Sequence, residues 1–181
     1  MRAVHAIAGP MAMMAATLAA VPAAAALKPG ARAPMFATTA SLAGKPFRFS
    51  LADALKKGPV VLYFYPAAFT AGCTLEAHEF AEATDDFAKL GATVVGMSAD
   101  PIDKLNRFSR EACRDKFAVG TATPKVIGAY DVKLPVVAMS NRTSYVIAPD
   151  GRVAYAHSAM AAKGHVANTM EAVKRLRAGQ R

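Results

Sequence analysis

Two stretches, Pro59-Val60-Val61-Leu62-Tyr63-Phe64-Tyr65 and Ala92-Thr93-Val94-Val95-Gly96-Met97-Ser98, are almost continuously apolar and rich in β-branched or aromatic side chains. A strand that is apolar at nearly every position, rather than at every second one, has to be covered on both faces. That requirement restricts the chain to a layered architecture in which helices pack on either side of a central sheet. Between the two stretches Ala77, Phe80, Ala81, Thr84 and Ala88 recur at helical spacing, while Glu76, Glu79, Glu82, Asp85 and Asp86 take other faces. The pattern predicts a helix from Thr70 to about Leu90. Asp100-Pro101 then offers an N-cap and N1 pair for a second helix through about Ala112.

The flanking segments fit the same plan. Residues 28–58 carry Pro29, Gly30, Pro34, Gly44, Pro46 and Gly58 around short apolar pieces, which suggests an irregular or hairpin entry with a short helical turn at Asp53-Ala54-Leu55. A short strand is expected near Phe117-Ala118-Val119 and one or two helical turns over residues 124–130. Arg142-Thr143-Ser144-Tyr145-Val146-Ile147 and Arg152-Val153-Ala154-Tyr155-Ala156 flank Pro149-Asp150-Gly151, a hairpin signal, and a last helix is expected from about Gly164 to Arg177. Strand and helix alternate early and an antiparallel hairpin comes late. The expected fold class is α/β, with a mixed central β-sheet flanked by helices.

Residues 1–26 have a different composition. They carry Arg2 and His5 but no acidic residue, then an Ala- and Met-rich run ending in Pro22-Ala23-Ala24-Ala25-Ala26. A basic start, an apolar middle and small residues at the end predict a secretory signal peptide cleaved after Ala26, and hence an exported, periplasmic protein. An uncleaved anchor fits less well, because the run is dominated by Ala and broken by Gly9-Pro10 and Pro22. The remainder, residues 27–181, has the size of one domain with its own core, and no later stretch is long and apolar enough to suggest stable membrane insertion. Losing Arg2 lowers the formal charge by one, from +9 to +8. The excess is scattered, and its densest group, Lys174, Arg175, Arg177 and Arg181, reads as a solvated helix face. No basic stripe is interleaved with aromatic residues, so nucleic acid is not an expected partner.

Chemistry is concentrated in Pro66-Ala67-Ala68-Phe69-Thr70-Ala71-Gly72-Cys73, which joins the first buried strand to the first helix. It puts the Cys73 thiol in the first turn of a helix. There, unpaired N–H groups and the positive end of the helix dipole favour a thiolate and polar ligands. The second cysteine of the chain is Cys113. In an exported protein two cysteines also suit a permanent structural disulfide, which would consume the nucleophile. No Cys-x-x-Cys, phosphate-binding glycine loop or dinucleotide fingerprint is present, and His78, His157 and His165 lack metal-ligand spacing, so no metal or other cofactor is expected.

Pro66, Thr70 and Cys73 reproduce the P-x-x-x-T-x-x-C motif of peroxiredoxins. The following Cys73-Thr74-Leu75-Glu76-Ala77 resembles the bacterioferritin-comigratory-protein or PrxQ-like branch of the AhpC/TSA family. The resemblance extends to Val94-Val95-Gly96-Met97-Ser98-Ala99-Asp100 and to the Arg142–Ile147 segment, and covers most of residues 30–175. It implies a thioredoxin-like fold carrying an N-terminal extension, and a thiol-dependent peroxidase that acts on hydrogen peroxide and organic hydroperoxides. By resemblance Cys73 is the peroxidatic nucleophile, and the Thr70 hydroxyl bonds its sulfur and the peroxide. Pro66 shields the pocket from water. Arg142 supplies a permanent charge that lowers the thiol pKa and supports the polarised O–O bond, and Glu76 orients Arg142.

Members of this branch often place a resolving cysteine five residues after the first, where this chain has His78. Cys113 stands where other members carry theirs, which implies an intramolecular Cys73–Cys113 disulfide recycled by a thioredoxin-like reductant. A buried structural Cys113, with an external thiol as resolver, is the alternative. The resemblance also implies a monomer. A reading from another class is a noncatalytic redox sensor or client-binding module, which would be oxidised once per molecule instead of turning over.

Overall fold

All five residues of strand β3 (Val60–Phe64) are buried, and alternation divides them between two cores. Val61 and Tyr63 enter one apolar cluster; Val60, Leu62 and Phe64 enter the other. Period-two geometry thus turns a continuous apolar run into two half-cores on opposite faces of one sheet. The computed structural model describes residues 26–179. The expected signal peptide, residues 1–26, lies outside them except for Ala26.

The element order is β1 (Ala37–Leu42), β2 (Lys45–Ser50), α1 (Leu51–Leu55), β3, α2 (Ala71–Lys89), β4 (Thr93–Ser98), α3 (Ile102–Glu111), β5 (Ala118–Thr121), α4 (Pro124–Ala129), β6 (Thr143–Ile147), β7 (Val153–Ser158) and α5 (His165–Ala178). The seven strands form one sheet in the order β2-β1-β5-β4-β3-β6-β7. The pairs β3–β4 and β4–β5 are parallel, joined through α2 and α3, and the outer pairs are antiparallel. This is the expected mixed sheet. Helices α2, α3 and α5 contribute Phe80, Phe108 and Val173 to one core, while α1 and α4 contribute Leu51 and Ile127 to the other.

The entry segment resolves into the β1–β2 hairpin and the short helix α1. The Ser50 hydroxyl caps α1 by accepting from the Asp53 N–H at 3.3 Å. Gly96 in β4 lies directly across from Tyr63, and a Cβ there would stand 2.8 Å from the Tyr63 ring. The Tyr63 ring can stack on Phe80, at 4.4 Å between centroids, only because that position is glycine.

One boundary corrects the sequence reading. Helix α3 starts at Ile102 with Pro101 as its N-cap, so Asp100 does not cap it. The Asp100 carboxylate is engaged elsewhere: Oδ2 accepts from the Ala68 N–H at 2.7 Å and from Ser98 Oγ at 2.9 Å, and Oδ1 pairs with Lys104 at 2.7 Å. Tying the loop after β3 takes precedence over capping its own helix. Among the described residues no helix is long and apolar enough to cross a membrane.

Candidate active site

Strand β6 runs antiparallel to β3, with Thr143 paired to Phe64, so the start of β6 and the end of β3 meet at one end of the strands, inside the sheet. Helix α2 begins at that end. The register therefore brings Arg142, which immediately precedes β6, to the first turn of α2, where Cys73 lies. The carboxyl end of parallel strands is where α/β sheets assemble their sites, because the loops to the following helices converge there.

Cys73 is 1% exposed. Arg142 Nη2 points at its sulfur from 3.4 Å, Nη1 donates to Glu76 Oε2, and Nε donates to the Met160 carbonyl at 2.9 Å. Three directions of the guanidinium fork are thus occupied, which holds its plane against the thiol. Gly72 matters for this approach, since a Cβ there would stand 3.1 Å from Nη2. Burial works against the charge on Arg142, but Glu76 and Cys73 outweigh it and raise the guanidinium above its ordinary range. Glu76 is fully buried, and burial pushes its carboxyl up to about 8 against the pull of Arg142.

Thr70 is the N-cap of α2, yet its side chain accepts no bond from the first turn. Its hydroxyl donates to the Ala67 carbonyl at 3.0 Å, and not to the Cys73 sulfur as the resemblance implied. With its hydrogen committed, the Thr70 oxygen offers lone pairs to an incoming O–H. The first-turn N–H groups of Ala71, Gly72 and Cys73, which a helix cannot pair internally, stay available beside the thiol. Pro66 is half-buried directly after Tyr65, whose carbonyl accepts from the Ser140 hydroxyl at 2.9 Å. Phe69 holds a left-handed backbone (φ 68°) and packs edge-on against Phe108 at 5.2 Å, with Arg107 over its ring.

Cys113 lies just beyond α3, fully buried, and shares an apolar cluster with Cys73; both thiols are free. Burial, with a smaller effect from Asp115, pushes the Cys113 thiol well above the ordinary range. The turn that carries it holds Arg114 and Asp115 in consecutive left-handed conformations (φ 51° and 59°), a strained arrangement for residues with a Cβ.

The structure thus gathers Cys73, Glu76 and Arg142 into one bonded cluster, sets Thr70 and Pro66 at its rim, and leaves Cys113 in the core behind it. Sequence reasoning missed three residues: Asp100, which anchors the loop through Ala68; Ser144; and His165, whose ring is fully buried against Glu76. Asp100 carried a usable signal, a carboxylate two residues past the end of a buried parallel strand. For His165 the sequence offers none beyond its position at a helix start. A cleft of about 560 Å³ opens elsewhere, lined by residues such as Phe47, Phe49, Ala88 and Phe117, and none of the site residues borders it.

Comparison with known proteins identifies the family. The AhpC/TSA family profile matches residues 29–156. The chain is similar to Peroxiredoxin Bcp of Bacillus subtilis, 31% identical over 121 residues that cover 64% of this chain and 77% of the relative. It also resembles the crystal structure of peroxidoxin BcpB from Mycobacterium tuberculosis, with a TM-score of 0.72 and 32% identity over 82% of this chain and 97% of that one. A reduced 2-Cys peroxiredoxin of Plasmodium vivax shares the fold, with a TM-score of 0.74 at 21% identity over 83% and 97% of the two chains. A profile spanning most of the chain, relatives matched over most of their length and a common architecture lead to one conclusion: the chain belongs to the AhpC/TSA family, among its Bcp-like peroxiredoxins.

Proposed function

We propose that this protein is a thiol-dependent peroxidase that reduces hydrogen peroxide and organic hydroperoxides with Cys73 as the nucleophile. The observation that carries the reading is the Arg142 guanidinium, held by Glu76 and the Met160 carbonyl with Nη2 3.4 Å from the sulfur. It stabilises negative charge on sulfur before the reaction and on the departing oxygen during it. The thiolate attacks the terminal peroxide oxygen, the S–O bond forms as the O–O bond breaks, and the leaving oxygen takes a proton and departs as water or alcohol. Cys73 is oxidised by two electrons to sulfenic acid. Thr70 accepts from the peroxide O–H, first-turn N–H groups donate to its oxygens, and Pro66 limits water.

Cys113 then condenses with the sulfenic acid, releasing water and forming a disulfide. A buried thiol with a raised pKa cannot react in place, so the step requires local unwinding. The strained Arg114-Asp115 turn lowers the cost of opening there. A dithiol partner of the thioredoxin type, the donor typical of Bcp proteins, returns two electrons and two protons. The signal-peptide pattern supports a periplasmic setting, and a monomer suffices, because every residue of the cycle comes from one chain.

The test is mass spectrometry of the reduced protein after one equivalent of hydrogen peroxide, with Cys113→Ser alongside. A Cys73–Cys113 disulfide in the parent and sulfenic acid at Cys73 in the variant are expected. Sulfenic acid in both would replace Cys113 by an external thiol. An unreactive Cys73 would overturn the peroxidase reading outright, and a single oxidation without turnover on an added dithiol would replace it by a redox sensor.

A further inference from the structure

Behind Arg142 lies a buried pair that the peroxidase cycle does not use. His165, the first residue of α5, places Nε2 3.0 Å from the Ala159 carbonyl oxygen, which can only accept, so Nε2 carries a proton. Nδ1 lies 2.8 Å from Ser144 Oγ and 3.5 Å from Glu76 Oε1. Arg142 serves Oε2 of that carboxyl, but Oε1 is buried with no hydrogen-bond partner. With Nε2 protonated, a neutral imidazole accepts at Nδ1 from the Ser144 hydroxyl and offers Oε1 no proton, so an ionised Glu76 would leave a carboxylate oxygen buried and unpaired, which is costly. A proton on Oε1, facing Nδ1 across 3.5 Å, removes that cost.

The groups facing this pair come from every element around it. Arg142 and Ser144 approach from β6 and the residue before it, and Glu79 shares α2 with Glu76. His157 on β7 stands with its ring centroid 4.6 Å from that of His165, and the Ala159 carbonyl comes from the turn before α5. Burial lowers His165 to about 4, helped by His157 and Arg142, while it raises Glu76 to about 8. Both directions favour a neutral pair at neutral pH, with the proton on Glu76. The start of α5 also disfavours imidazolium, since a helix N-terminus is the positive end of its dipole.

We propose that His165 is a positioning residue of the thiol site: with Glu76 it retains one proton between Nδ1 and Oε1, which leaves Cys73 as the only anion paired with Arg142. One guanidinium balances one negative charge. If Glu76 were ionised it would compete with the thiolate for Arg142; protonated, it still accepts from Nη1 and orients the fork without taking the charge. The inference rests on the reading of Cys73 as a nucleophilic thiolate.

The experiment has two readouts, neither of which needs peroxide. Infrared spectroscopy of the reduced protein at pH 7 should show a carboxylic-acid carbonyl band that disappears in Glu76→Gln. Iodoacetamide alkylation of Cys73 as a function of pH, followed on its own peptide, should have the same midpoint in Glu76→Gln as in the parent. In His165→Asn the side-chain amide can donate to Oε1 and satisfy an ionised carboxylate. The acid band should then be lost at pH 7, and the alkylation midpoint should rise by about one pH unit or more, as for a thiol that gains a competing anion. The double variant should return to the parent midpoint.

Absence of the acid band in the parent, a midpoint in Glu76→Gln lower by a unit, or an unmoved midpoint in His165→Asn would each overturn the proposal. Should His165→Asn not fold, the band and the Glu76→Gln midpoint still decide. Failure of the peroxidase reading would appear separately, as absent peroxide consumption with the alkylation profiles intact.

Discussion

Replacing Arg142 by Met removes the cation bonded to the thiol while keeping much of the side-chain volume. At 3.4 Å and an effective dielectric of about 20, the attraction between guanidinium and a full negative charge on sulfur is at most about 5 kcal/mol, or between three and four decades in rate. Partial charge in the transition state and the donors of the α2 first turn reduce this, so a loss of about 10²–10³ in the rate with hydrogen peroxide at pH 7 is expected. The cost in stability should be smaller than the 3–5 kcal/mol typical of orphaning a buried charge, because Glu76 already favours its neutral form and needs no countercharge. About 2 kcal/mol is expected, from the lost bonds to Glu76 and the Met160 carbonyl. Stopped-flow single turnover and urea unfolding measure the two quantities. A rate loss below tenfold in a folded variant would refute the electrostatic role of Arg142, and a stability loss above about 4 kcal/mol that Glu76→Gln restores would show that Glu76 is ionised.

Stability should vary with pH in a way set by the buried pair. Glu76, raised from 4.5 to about 8, keeps its proton in the fold after the unfolded chain has lost it, so its contribution declines as pH rises through that window. His165, lowered from 6.5 to about 4, acts in the opposite sense, and stability is lost as pH falls from 6.5 to 4. The two slopes oppose each other below 6.5, which leaves a net decline between pH 6.5 and 8; urea midpoints across that range should show it, and Glu76→Gln should flatten it. At Thr70, Ser should keep the peroxide rate within about threefold, while Val, with the same shape and no hydroxyl, should lower it about a hundredfold, and equal rates for the two would remove Thr70 from substrate binding.

The periodicity of the sequence was a good guide wherever one face of an element had to be buried. Strands β3 and β4, helix α2 and the β6–β7 hairpin appear where the apolar pattern puts them, because burial on a known face determines both type and phase. The P-x-x-x-T-x-x-C spacing located the thiol, and Glu76 fell on the Arg142 side of α2 because three residues are nearly one turn. Bonds between loops were not legible. The Asp100 carboxylate had two uses open to it, a helix cap or the Ala68 N–H, and the choice depends on where the loop after β3 comes to rest. The Thr70 hydroxyl turned to Ala67, its neighbour three residues back, for a similar reason. His165 stands 89 positions from Glu76, and only the packing of α5 on α2 and β6 brings them together.

The pairing of β6 with β3 has a consequence in time. Cys73 and Arg142 are 69 residues apart, and the pairing of β6 with β3 is what brings them together. Synthesis delivers the thiol well before the arginine, and a chain whose sixth strand has not yet docked holds an ordinary cysteine. Its heightened sensitivity to oxidants therefore arrives late, with the closing of the sheet. A chain whose sheet is still incomplete carries its thiol unarmed, and one in which β6 comes away from β3 disarms itself.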